Sequence, residues 1–356
     1  MNPVKQFYLD FKFVSIIITI MLITSFVFNI AALIASFVVI DLSFSSNLIY
    51  SLPHLVELMW KFDLYVIALL IIIYSILLPF VKLAVLTYIC FFTNSYKRRS
   101  RLIALIEPCG KWSMLDIFCV CIILVLTNNQ FFVSSTPLNG VYYFLVAVFL
   151  NMSCAIIIHL FVVSKSRPPS TYKIRTPISN FLNVTIGKRI RILVLLVISL
   201  IALLTAIISP FIQINAFLMS DYSYSIYSCV LSLWNVSIAL ALFIAFTLIL
   251  CPLLQTIGLM LFWSLKYKPN FHGYLHGFIN IISNFNMIGV FFLGLVVFLA
   301  EGNWLIKTQN KIGLIILCAY LILSYVILIC LNLKKSRLIW KKVKITDNKR
   351  KNKSSQ

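Results

Sequence analysis

Acidic side chains are scarce in this sequence: 9 Asp and Glu stand against 30 Lys and Arg in 356 residues, and charged residues of either sign make up only 11%. So thin a charged complement does not clothe a water-soluble globule of this length. Signatures of enzyme chemistry are missing as well. There is no H-E-x-x-H, G-x-S-x-G, P-loop or dinucleotide fingerprint, and no nucleophile–base pair is legible, so no enzymatic activity is expected. The missing P-loop also means that any transport is passive or draws its energy from a gradient or a partner. The 9 cysteines include no C-x-x-C pair, which argues against a zinc ribbon or a thioredoxin-like motif. Eight of them, all but Cys229, lie in or beside apolar runs, where cysteine behaves as a small hydrophobe. His272 and His276 have helical spacing but no visible third ligand, and they read as a solvated face. No metal and no cofactor are expected.

What the chain has instead is hydrocarbon. Hydrophobic residues make up 62% of it, and its mean hydropathy is +1.02. Apolar runs near the length needed to cross a bilayer, about 20 residues, recur at 13–39, 63–92, 112–131, 141–163, 191–211, 233–264, 279–300 and 311–332. Backbone amides in lipid must be satisfied within their own segment, so these runs are expected to be helices. The first is too long for the 7–15 residue core of a signal peptide and reads as a retained helix. The expected fold is an all-α polytopic membrane protein of eight transmembrane helices. Segment 37–50 has some strand character, which suggests small β-elements in the outer loops.

The formal charge of +21 does not point to nucleic acid. Basic residues cluster at Lys5 and Lys12, from Lys97 to Lys111, from Lys165 to Arg191, at Lys266 and Lys268, and in the tail from Lys334. The alternate loops are poor in Lys and Arg and hold Asp41, Glu57, Asp221 and Glu301. Eight spans with both termini in the cytoplasm put every basic cluster on one side, as the positive-inside rule requires.

The chain divides at a basic, proline-containing stretch, 165–190. Four spans precede it (1–164) and four follow it (191–333), ahead of a basic tail (334–356). Pro79, Met114 and Phe118 return as Pro252, Met287 and Phe291 at a constant offset of 173. This reads as two tandem four-helix repeats related by an axis along the membrane normal. The charges are not repeated. Lys82 becomes Gln255, Asp116 becomes Gly289, Trp112 becomes Phe285 and Ser113 becomes Asn286.

Lys82 and Asp116 lie inside predicted spans, where ionisable groups are costly and usually face a bundle interior or a wet cavity. Pro79 and Lys82 share one face of the second helix, and Trp112, Ser113 and Asp116 share one face of the third. Two readings follow: a Lys82–Asp116 ion pair that only joins two helices, or a polar cavity that holds a headgroup, an ion or a proton. In the second half Gln255, Asn284 and Asn286 are the polar counterparts, able to hydrogen-bond across helices. Among weaker signals, His54 and Glu57 form an H-x-x-E outside any predicted helix, and His159 reads as a bundle hydrogen-bond donor.

Pro79-x-x-Lys82, followed by Gly110-Lys111-Trp112-Ser113-Met114-Leu115-Asp116-Ile117-Phe118, resembles the signature of the paraquat-inducible protein A (PqiA) family. The resemblance extends to the eight-span layout, though its specific part is confined to residues 79–118 of the first half. It implies a bacterial inner-membrane protein that works beside an MCE-domain protein whose periplasmic rings form a lipid tunnel. This chain would load or unload phospholipid at the inner membrane and support envelope integrity. Lys82, Trp112, Ser113 and Asp116 would line or shape the intramembrane pocket. Apart from the resemblance, the offset of 173 makes Pro79, Met114, Pro252 and Met287 the helix-kink and frame residues common to both halves, with Pro79 expected to kink its helix. Family members commonly carry cysteine-rich zinc ribbons before each repeat. Residues 1–12 and 165–190 hold no cysteine, so no structural zinc is expected here. Two other functions fit the residues: a secondary transporter of a small solute using Lys82 and Asp116 as a relay, and a non-transporting scaffold for the MCE protein.

Overall fold

Apolar runs with few internal glycines and prolines propagate as helix once nucleated, and helices dominate the computed structural model. It describes residues 12–42, 48–61, 65–92, 98, 101–103, 105, 111–128, 133–158, 186–214, 222–265, 269–301 and 312–327. The chain begins with α1 (Lys12–Ile34), β1 (Ser36–Leu42), β2 (Leu48–Ser51) and α2 (Leu52–Lys61). A rod follows, made of α3 (Tyr65–Ile71), a π-helical turn (Ile72–Leu77) and α4 (Leu78–Phe91). Then come α5 (Leu115–Asn128), β3 (Val133–Pro137) and α6 (Asn139–Ile157).

The second half opens with α7 (Ile186–Ile208), β4 (Ile212–Ile214), β5 (Tyr222–Tyr224) and α8 (Ile226–Val236). A second rod runs through α9 (Ile238–Ile244), a π turn (Ala245–Leu250) and α10 (Cys251–Ser264). It is followed by α11 (Pro269–Phe285), α12 (Ile288–Glu301) and α13 (Ile312–Ile327). The boundaries of α3, its π turn, α4 and α5 recur 173 residues later in α9, the second π turn, α10 and α12.

Six described helices are long and apolar enough to span a bilayer, so the chain is a multi-pass, mostly helical membrane protein. They are Val14–Ile34, Ile72–Phe91, Asn139–Ile157, Ile190–Ile208, Ile238–Ser264 and Gly277–Leu299, the last taken across the two-residue break between α11 and α12. The third and eighth expected spans are represented by shorter apolar helices, Ile117–Leu126 and Ile312–Ile327. The expected sixth span begins later than its hydropathy suggests. Ser237 is extended (φ −157°, ψ 110°) and separates α8 from the rod that starts at Ile238. Ile20, Ile23 and Val27 on α1, and Ile198, Ile201 and Leu204 on α7, stay exposed. Faces this apolar are suited to lipid rather than water.

The expected strand segment is present. β1 is the centre of a three-stranded antiparallel sheet, ordered β2-β1-β3, with Val39 opposite Ile49 on one side and Thr136 on the other. β4 and β5 form a smaller antiparallel pair. Gly140 lets α6 approach this sheet, because a Cβ there would lie 2.6 Å from the Ser36 carbonyl oxygen. Gly313 plays the same part in α13 against the Pro210 carbonyl.

The largest core cluster draws on both halves. Phe118 on α5 and Phe291 on α12 meet edge to face at 5.8 Å, and Phe243 and Phe211 extend the aromatic contact. Aromatic pairs of this geometry add roughly 0.5–1.5 kcal/mol beyond area burial.

Candidate functional site

Two irregularities in each half position the polar residues. The first is the π turn one turn ahead of each proline. Pro79 has no amide hydrogen, and its ring would clash with the carbonyl four residues earlier in a regular helix. The π turn avoids that contact, and the Leu78 amide donates to the Ile73 carbonyl, five residues back. Around Pro252 the Cys251 amide donates to the Phe246 carbonyl in the same way. Both prolines are buried.

The second irregularity is a break at the start of a helix. Lys111 and Trp112 are helical, Ser113 and Met114 form a turn, and α5 begins at Leu115. In the second half α11 ends at Phe285, Asn286 and Met287 are non-helical, and α12 begins at Ile288. The Met114 carbonyl accepts from the Phe118 amide at 3.4 Å, and the Met287 carbonyl from the Phe291 amide at 3.0 Å. Met114 and Met287 are 1% and 0% exposed, so the frame residues named from sequence are core residues of the two breaks. Non-helical backbone at membrane depth is tolerated where it is buried in protein or lines a cavity.

Lys82 lies on α4, one turn after Pro79, and is only 3% exposed. It lies close to Cys154 on α6. Ser113 is equally buried. Trp112 packs against Tyr74 of the first π turn, with ring centroids 5.8 Å apart, so the π turn and the signature run meet. Asp116 is the second residue of α5, but its side chain lies outside the described residues, and so does the expected Lys82–Asp116 pairing. The side chains of His272 and His276, and all of His159, also lie outside them.

The second half forms a defined network at the matching positions. Asn286 Nδ2 donates to Gln255 Oε1 at 2.6 Å, and its Oδ1 accepts from the Ile288 amide at 3.3 Å. The buried Tyr320 hydroxyl lies close to Asn286. Asn284, grouped with these from sequence, lies in the last turn of α11 without a described bond to Gln255. His54 and Glu57 prove to be helical, one turn apart on α2, where Lys61 Nζ donates to Glu57 Oε1 at 2.7 Å.

Several residues escaped the sequence reading. Lys111, taken as one more basic loop residue, donates from Nζ to the Ser283 carbonyl at 2.5 Å across the two halves. Tyr74 and Tyr320, two of 16 tyrosines, carried no distinguishing sequence signal. Ser75 Oγ on the first π turn and Asn151 Oδ1 on α6 are buried without a hydrogen-bond partner among the described residues. Polar residues in apolar runs were the only available signal for these two, and it did not separate them from helix-internal serines such as Ser25, which donates to the Ala147 carbonyl.

A buried lysine, helices broken at matched places and an asparagine network are features by which membrane helices build polar sites around non-helical backbone. The chain is 26% identical over 140 residues to the intermembrane transport protein PqiA of Escherichia coli (strain K12). Its namesakes in Escherichia coli O6:H1 and Shigella flexneri match to the same extent. Each alignment covers 38% of this chain and 33% of the relative, so the match spans about a third of the length of these curated proteins. No solved structure matches. The sequence model of paraquat-inducible protein A matches two blocks, residues 17–160 and 190–344, which together take in most of the chain. On that coverage, the chain belongs to the paraquat-inducible protein A family.

Proposed function

We propose that this protein is an inner-membrane subunit of a phospholipid transport system. It works with an MCE-domain tunnel protein, loads or unloads lipid at the inner membrane, and has no enzymatic activity of its own. The observation that carries this reading is Lys82: a cation 3% exposed inside a span of a chain whose relatives are named for intermembrane transport. Such a charge is retained at a cost of a few kcal/mol, and a polar headgroup is one way to use it. On this reading Lys82, Trp112, Ser113 and Asp116 shape a headgroup pocket in the first half, which Tyr74, Ser75 and Asn151 extend.

The architecture that goes with it is a tandem duplication of four-helix units, eight spans in all, with both termini in the cytoplasm. The constant offset of 173 in element boundaries, and the separate family match of each half, support the duplication. The basic loops support the orientation.

Affinity purification from the native membrane, with identification of bound protein and lipid, tests the proposal. An MCE-domain protein and phospholipid should co-purify. Lys82→Ala and Asp116→Ala should each impair outer-membrane integrity while the complex still assembles. Wild-type behaviour of both variants in a sensitised strain removes the pocket from the proposal. Gradient-driven uptake of a small solute by vesicles containing this chain alone replaces the proposal with a secondary transporter.

A further inference from the structure

The contact between Lys111 and Ser283 belongs to neither the Lys82 region nor the Gln255 network. In an uninterrupted helix the Ser283 carbonyl would accept from the Met287 amide, four residues on. The break at Asn286 and Met287 ends that ladder, and the Asn286 amide makes its bond to the Ile282 carbonyl at 3.1 Å. Ser283 offers the next carbonyl in line. Carbonyls in the last turn of a helix lack intrahelical partners, and buried ones need a donor from elsewhere. Lys111 Nζ supplies one at 2.5 Å in a partly buried setting. An ammonium there also opposes the negative end of the helix dipole.

The donor comes from a telling place. Lys111 immediately precedes Trp112 and the Ser113–Met114 turn, so the residue that caps the second-half break is part of the first-half break. Three residues beyond Ser283, Asn286 bonds Gln255. We propose that Lys111 is a positioning residue that couples the two halves. It holds the end of α11, and through it the Asn286 turn, from the first-half signature run. A displacement of the first-half turn is thereby transmitted to Gln255, Asn286 and Tyr320. This coupling does not depend on what the protein transports.

Hydrogen exchange read by mass spectrometry on the full-length chain in lipid nanodiscs tests it. Lys111→Met keeps most of the stem and removes the donor; Lys111→Arg keeps both charge and donors. In Lys111→Met, amides across 286–290 should exchange about tenfold faster or more, the factor expected when a charge-assisted bond is lost. Peptides from α6 should stay at the wild-type rate, and Lys111→Arg should restore protection at 286–290. Unchanged exchange at 286–290 in Lys111→Met overturns the proposal. So does acceleration spread evenly over both halves, or an arginine variant as unprotected as the methionine one. If Lys111→Met does not yield folded protein, Lys111→Leu, which likewise has no donor, is judged by the same criteria.

Discussion

Asn286 Nδ2 donates to Gln255 Oε1 at 2.6 Å, at the positions 173 residues beyond Ser113 and Lys82. One half therefore joins its rod to its broken helix with a neutral amide pair, where the other places a buried lysine and a buried serine. Gln255→Leu leaves the Asn286 amide short of an acceptor and should lower stability by about 1–3 kcal/mol. Combining it with Asn286→Leu should reveal a coupling of about 1 kcal/mol, in the range of interhelical hydrogen bonds in membranes. Unfolding in mixed micelles measures both. Strict additivity would remove the bond from the account.

Two glycines should respond oppositely to the same change. A Cβ at Gly140 would lie 2.6 Å from the Ser36 carbonyl oxygen and 2.8 Å from the Phe37 ring, so Gly140→Ala pushes α6 off the sheet. Overpacking of this kind costs about 1–3 kcal/mol. At Gly277 on α11 a Cβ meets nothing within 4 Å. Gly277→Ala should therefore stabilise by about 0.5–1 kcal/mol through helix propensity. Thermal midpoints of the two variants in the same detergent decide the matter.

Much of this architecture was legible in the sequence because lipid imposes a single rule, an apolar run that satisfies its own backbone. Pro79 and Pro252, and Met114 and Met287, were matched by one offset in the sequence, but their places on the rods and at the breaks came from the structure. The offset was read from side chains and reappears in the π turns, which no composition rule would have placed. Helix lengths were less legible. Hydropathy runs smoothly across Ser237 and across Asn286–Met287, where the backbone leaves the helix, since one or two polar residues barely change a window average. The role of Lys111 was hidden because a basic residue near a cytoplasmic loop already had an explanation in the positive-inside rule. Its acceptor, a backbone carbonyl 172 residues away, leaves no mark on composition.

The exposed triad on α2 makes a pH prediction. Lys61, by its hydrogen bond and then its charge, holds the Glu57 carboxyl below its ordinary value, with a smaller contribution from His54. A carboxylate with a depressed folded pKa stabilises the helix above the unfolded value of about 4.3, and that stabilisation is lost as pH falls through the folded value. Exposure and salt keep the effect small. In Lys61→Met the Glu57 carboxyl, followed by its NMR shift, should titrate at higher pH than in the wild type. An unmoved midpoint would assign the shift to another group.

Pro79→Ala should separate stability from function. The substitution restores an amide at position 79 that can donate to the Ser75 carbonyl, removing the reason for the i to i−5 bond from Leu78 to Ile73. The π turn should then tighten to regular helix. Losing its extra residue rotates everything before it by roughly 100° relative to α4. Tyr74 leaves Trp112, and Ser75 leaves its buried position. The π turn already spares Pro79 its clash with the preceding turn, so the thermal midpoint should change little while activity in the outer-membrane integrity assay falls. Pro252→Ala is the control. It makes the same backbone change where Gln255 replaces the lysine, so it should alter the midpoint comparably and reduce activity less. If the two variants lose activity equally, the first half has no special claim to the chemistry. If Pro79→Ala keeps full activity, the π turn and its Tyr74–Trp112 contact do not shape the site.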